Sequence, residues 1–180
     1  MKAILALEDG TIFEGSAFGA CDTVTGEVCF NTAVMGYQEI MTDPSYNGQI
    51  LAMTYPLIGN YGICTEDSES DRPQISALVA VEISRLHSSW RAAEPMEDWL
   101  KRHNVTGIAG IDTRKLATHL RNNGSMRACV TTQLSAEDAV NAARAAAPLA
   151  GADMVSAIST SETYHWDGDS RNWKLPNKTM

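Results

Sequence analysis

Few residues of this chain have the types and spacing that chemistry requires. The four histidines, His87, His103, His119 and His165, stand singly, with no pair at metal-ligand spacing. Each therefore reads as a surface or core histidine. The four cysteines, Cys21, Cys29, Cys64 and Cys129, form no C-x-x-C pair. A thiolate needs a base or a positive neighbour to become a nucleophile, and the sequence offers none of them an evident one. Cys29 and Cys129 fall within strand patterns and read as buried thiols. No G-x-S-x-G or G-x-C-x-G elbow exposes a nucleophile, and neither phosphate-binding glycine motif occurs. Glu8-Asp9 fits a turn, and the acidic residues 66–69 fit a solvated loop, better than a pair of catalytic carboxylates. Asp112-Thr113-Arg114-Lys115 is explained by helix capping without any chemistry.

One stretch stands apart: GYQEIMTDPSYNGQI, residues 36–50, a polar and turn-rich run that passes directly into apolar ILAMTYP. Thr42, Asp43 and Ser45 flank Pro44, whose ring fixes one backbone angle, so that N–H groups and a hydroxyl could converge there. A second glycine-containing turn, TYPLIGNYG at 54–62, follows one short strand later. The pair is a candidate for recognising a small polar ligand, beside the reading of turn chemistry alone.

The surrounding elements follow from periodicity. Residues 2–8 and 11–19 alternate apolar and polar around Asp9-Gly10, which predicts a hairpin with a type I′ turn. Further strands are predicted at 27–32, 50–54, 106–111 and 127–132. Residues 75–83, ISALVAVEI, read as one strand covered on both faces. Helices are predicted over 94–103, with Met96, Trp99, Leu100 and His103 on one face. Two more are predicted, one from Asp112 to the Asn122-Asn123-Gly124 stop and one from a capping box at Ser135 to a limit near Pro148. These elements predict a mixed α/β domain with helices mainly in the second half and packed on one side. Around Asp167-Gly168, flanked by Tyr164, Trp166 and Trp173, the tail predicts a small hairpin leading into a linker.

The chain has 180 residues, 44% of them hydrophobic, 22 acidic against 14 basic, and a net charge of -8. That length suits one domain with an appendage: residues 1–150, then 151–180. The absence of any basic cluster argues against nucleic acid or an anionic membrane as partner. No signal peptide or 18-residue apolar run is present, and four free thiols suit a reducing cytoplasm.

The ordered motifs LEDGTIFEG (7–15), GEVCFNTAVMGYQEIMTDPSYNGQI (26–50), TYPLIGNYG (54–62), LKRHNVTGIAGIDTRKL (100–116) and YHW (164–166) resemble one family. It is the small subunit of glutamine-hydrolysing carbamoyl-phosphate synthetase, and the likeness covers its N-terminal domain, residues 1 to about 165. The resemblance implies a layered β/β/α "swivelling" fold. It also implies a missing C-terminal class I glutaminase domain with a Cys-His-Glu triad, toward which residues 151–180 lead. Ammonia released there passes to a large subunit, where two ATP and a divalent metal serve carbamoyl phosphate synthesis from bicarbonate for the arginine and pyrimidine pathways. No cofactor is implied for this chain. The serine of the family's TDPSY motif reaches the bound L-glutamine, and the matching residue is Ser45. On this reading the piece alone lacks glutaminase activity. The competing reading is a stand-alone interaction module without a catalytic role, which a natural stop codon near position 180 would favour. An independent small hydrolase ranks third, since no nucleophile–base set can be named.

Overall fold

The computed structural model describes residues 1–165. Nine strands and five α-helices occur among them: β1 (Lys2–Leu7), β2 (Ile12–Gly19), β3 (Val24–Asn31), α1 (Tyr37–Thr42), β4 (Ile50–Met53), β5 (Leu57–Ile58), β6 (Ala77–Val79), β7 (Glu82–Ile83), α2 (Met96–Arg102), β8 (Thr106–Ala109), α3 (Thr113–Asn123), β9 (Met126–Thr131), α4 (Ala136–Ala145) and α5 (Met154–Ile158). The mixed α/β class and the concentration of helices in the second half agree with the sequence. The sheet does not stay open in layers. Seven strands close into a barrel in the order β1-β2-β8-β6-β4-β3-β9, while β5 and β7 form a separate two-stranded sheet. Closure comes from antiparallel pairing of β1 with β9, which places Ile4 opposite Thr131.

Alternation along the strands sorts side chains into three apolar clusters. Leu5 and Leu7 of β1, Val28 of β3, Ile50 and Ala52 of β4, Ala77 and Val79 of β6 and Val130 of β9 fill the barrel. Leu116 and Leu120 of α3 belong to the same cluster, so this helix plugs one end. The alternate residues Leu51, Met53 and Leu78 face outward and pack with Tyr37, Met41, Met96, Trp99 and Leu100 of α1 and α2. Ala6 and Cys129 meet Ala139, Val140 and Ala143 of α4. Helices thus cover several faces of the barrel, not one side as the sequence suggested, because a closed sheet has outward faces all round. Gly107 is required where β8 crosses β2: a Cβ there would lie 2.4 Å from the Phe18 ring.

Two local expectations change. The first hairpin is not a type I′ turn. Gly10 N–H donates to the Leu7 carbonyl (3.0 Å) and Leu7 N–H to the Thr11 carbonyl (2.8 Å). Only Gly10 takes positive φ, 96°. A three-residue loop with a left-handed glycine suits this spacing better than a two-residue turn. The run 75–83 divides between β6 and β7, because Val81 lies between two different sheets. The caps agree with the sequence: Asp112 Oδ1 accepts from Lys115 N–H (2.8 Å). Ser135 Oγ accepts from Asp138 N–H (3.1 Å), and Gly124 closes α3 with φ 91°. The hairpin predicted around Asp167-Gly168 lies outside the described residues.

Candidate functional site

The polar run 36–50 forms α1, then a 3-10 turn over Pro44–Tyr46, then enters β4. α1 has only six residues, too short to persist alone, so tertiary contacts hold it. Tyr37 stacks on Tyr61 with ring centroids 4.1 Å apart. Tyr61 Oη accepts from the N–H groups of Gly36 (2.7 Å) and Tyr37 (3.0 Å), and Tyr37 Oη donates to the Gly62 carbonyl (2.6 Å). Gln38, 1% exposed, grips the backbone of Cys64 from both sides. Its Nε2 donates to the Cys64 carbonyl (2.5 Å) and its Oε1 accepts from Cys64 N–H (2.8 Å).

The end of the helix is fastened equally well. Thr42 Oγ1 donates to the Gln38 carbonyl (2.8 Å) and accepts from Glu69 N–H (2.9 Å), while Ser70 Oγ donates to the Thr42 carbonyl (2.6 Å). Asn47 Nδ2 donates to Gln74 Oε1 (2.9 Å), and Asn31 Nδ2 to Tyr46 Oη (2.9 Å). The strap 61–74 thus braces the run 36–50 along its length. The acidic residues 66–69 are more than a solvated loop, because Asp67 pairs with Arg91 at 2.5 Å and Glu69 holds Thr42.

Within this frame the candidate residues have different fates. Asp43 Oδ1 accepts from Ser45 N–H (2.8 Å), which commits both groups to the turn. Thr42 is fully buried and turned inward, so the three groups do not converge on one ligand as the spacing suggested. Ser45 alone is exposed, and its hydroxyl has no hydrogen bond among the described residues. Three residues on, Gly48 takes φ 75° and its Cα lies against the Met154 side-chain tip of α5: a Cβ there would be 3.4 Å from Met154 Cε. The start of α5 is thus packed close to the Ser45 turn.

Among the described residues the remaining titratable groups do not assemble a reaction centre. Burial pushes the Cys29 and Cys129 thiols up to about 11, and burial together with nearby Asp67 raises Cys64. Thiols held in that direction are protonated at neutral pH and poor nucleophiles. His119 Nε2 meets Asp9 Oδ2 at 2.7 Å, a pair the sequence did not reveal. Glu39, in a cleft of about 560 Å³ with Asp67 and Arg91, has one buried carboxylate oxygen without a hydrogen bond. Among the described residues no group of three or more His, Cys, Asp or Glu could hold a metal ion, and no helix is long and apolar enough to cross a membrane.

Residues 5–130 match the profile described as "Carbamoyl-phosphate synthase small chain, CPSase domain". The chain belongs to the carbamoyl-phosphate synthase small chain family. A carbamoyl phosphate synthase small chain of Akkermansia muciniphila is 57% identical over 158 residues, covering 88% of this chain and 42% of that one. Those of Syntrophotalea carbinolica (51% identical; 92% of this chain, 44% of that one) and a Synechococcus species (47%; 96% and 45%) are similar. The chain thus spans less than half the length of these family members. Gln38, the hinge pin of the site, and the cleft beside α3 described below were not legible in the sequence, since a lone glutamine between Tyr37 and Glu39 gives no sign of burial.

Proposed function

We propose that this domain serves a synthase that makes carbamoyl phosphate from glutamine, bicarbonate and ATP. It does so by presenting Ser45 to L-glutamine held on a glutaminase domain that follows it, and by docking on a large subunit. The observation that carries the reading is the contrast at the turn. Asp43 Oδ1 is committed to the Ser45 N–H within the turn and Thr42 and Asn47 are committed inward to Glu69 and Gln74, while the Ser45 hydroxyl is exposed on a clamped backbone. A hydroxyl can donate to and accept from the polar end of an amino acid, and a fixed turn spends little ordering entropy on doing so. The contact of Met154 with Gly48 supports it further, because the start of α5 is packed near this turn. Catalysis, ATP and metal belong to the other domain and subunit on this reading, and the domain by itself hydrolyses no glutamine.

The test is Ser45→Ala in a full-length small chain assembled with its large subunit. One neutral hydrogen bond contributes about 0.5–1.5 kcal/mol, so the glutamine concentration for half-maximal rate should rise roughly 2- to 13-fold. Synthesis from free ammonia should not change. An unchanged glutamine requirement would remove Ser45 from the site.

A further inference from the structure

Between α3 and the mouth of the barrel lies an open cleft of about 850 Å³. It is built at the C-terminal ends of β3, β4, β6 and β8, and its walls include Phe30, Pro56, Val81 and the α3 residues Thr113, Arg114 and Arg121. Alternation puts Phe30 on the same face of β3 as Val28, toward the barrel interior. Leu116 and Leu120 plug that interior, and Phe30 is left at the mouth, 37% exposed, as Val81 is on the far wall. Arg114 and Arg121 stand seven residues apart on α3, close to two full turns, so they share a face about 10 Å apart. Neither makes an ion pair within 4 Å among the described residues, whereas Arg91, Arg102 and Arg127 each do. Among the described residues the only acidic one in the lining is Asp112, whose Oδ1 is occupied by the Lys115 N–H. A chain of net charge -8 thus carries a locally cationic, apolar-floored cleft.

We infer that this cleft receives an apolar segment of the large subunit flanked by two carboxylates about 10 Å apart, the spacing of Arg114 and Arg121; the inference rests on the function proposed above. Charge complementarity selects the occupant. An apolar side chain entering beside Phe30 and Val81 removes exposed surface from water, and each carboxylate meets a guanidinium with fixed fork geometry. A second copy of this acidic chain would be repelled. α5 does not fill the cleft: Met154 lies against Gly48, which precedes β4, whereas the cleft begins at Thr54, which follows it.

The experiment uses full-length small chain and separately purified large subunit, with the dissociation constant measured by analytical ultracentrifugation at two salt concentrations. Both arginines are exposed, so the charge-removing pair Arg114→Gln/Arg121→Gln should melt like wild type. It should weaken assembly at least 10-fold and flatten its salt dependence, and Arg114→Glu/Arg121→Glu should weaken it further. The control is Arg72→Glu/Arg85→Glu, which changes net charge equally at two exposed positions outside the cleft and should leave assembly within 3-fold. Unchanged assembly of the cleft variants, or an equal loss in the control, overturns the assignment while the proposed function stands. A change confined to self-association of the small chain makes the occupant a second copy and also overturns it. Failure of wild-type chain to bind the large subunit at all would overturn the functional reading itself.

Discussion

The two ends of β4 are built on opposite terms. Ahead of the strand, the run 36–48 ties nearly every polar group inward, through Gln38 to Cys64, Thr42 to Glu69 and Asn47 to Gln74. Beyond it, the wall formed by α3 is secured mainly by apolar packing, with Leu116 and Leu120 in the barrel, beside a polar tie from His119 to Asp9 at 2.7 Å. The difference separates two kinds of accuracy. Hydrogen bonds are directional and fix where one hydroxyl sits, whereas an apolar plug holds a helix in place while leaving its charged side free for contact.

The strongest way to break the second arrangement is Leu116→Ala. Leu116 is fully buried, and truncation of such a leucine costs about 2–5 kcal/mol through lost transfer energy and the cavity left behind. Chemical denaturation of the purified domain should show that loss, while the glutamine requirement of the assembled enzyme stays unchanged wherever the domain remains folded. A shifted glutamine requirement would mean that the two ends are coupled.

Gln38→Ala attacks the first arrangement and should have the next largest effect. It strands the buried N–H of Cys64 and leaves the Cys64 C=O with a long bond from Asp67 N–H (3.4 Å); a buried group left unsatisfied costs about 1–3 kcal/mol, partly relieved by water entry. A net loss of about 2–3 kcal/mol is expected in the same denaturation assay. The comparison sharpens here: Gln38 has no contact with Ser45, yet loosening α1 should raise the glutamine requirement at least as far as Ser45→Ala does. Stability loss without any kinetic effect would show that the brace does not position the turn.

The smallest effect is expected from Glu39→Gln. Burial raises the Glu39 carboxyl above the ordinary glutamate range, and Asp67 and Glu69 add to this against the opposing pull of Arg91. A carboxyl whose folded pKa exceeds its unfolded one favours the folded state fully below the unfolded pKa, and that contribution fades as pH rises through the folded value. Glutamine at this position should therefore raise the melting temperature at neutral pH and give no gain near pH 4, where glutamate is largely protonated in both states. A constant difference across that range would assign the effect to something other than ionisation.

Much of the fold could be read from local pattern. The caps at Asp112 and Ser135, the stop at Gly124 and the alternation of β1 and β2 depend on neighbours within a few residues, and the structure agrees there. Barrel closure could not be read, because pairing Ile4 with Thr131 leaves no local mark. Nor could α1: Tyr37 and Gln38 are helical because of Tyr61 and Cys64, partners 24 to 26 residues away. Ser45 was visible through its motif. The gathering of Phe30, Val81 and Arg114 around one cleft was not, since they come from three distant segments.

The seam between β1 and β9 has a consequence for how the domain is made. Its first strand cannot find its final neighbour until residue 131 has left the ribosome. At about 5–20 residues per second, that is a wait on the order of ten seconds. Throughout that interval β1 and β2 have each other but a raw edge at Leu5 and Leu7. A nascent chain of this protein is therefore most exposed to misassembly just before β9 emerges, and a chain arrested short of residue 131 would remain an open sheet.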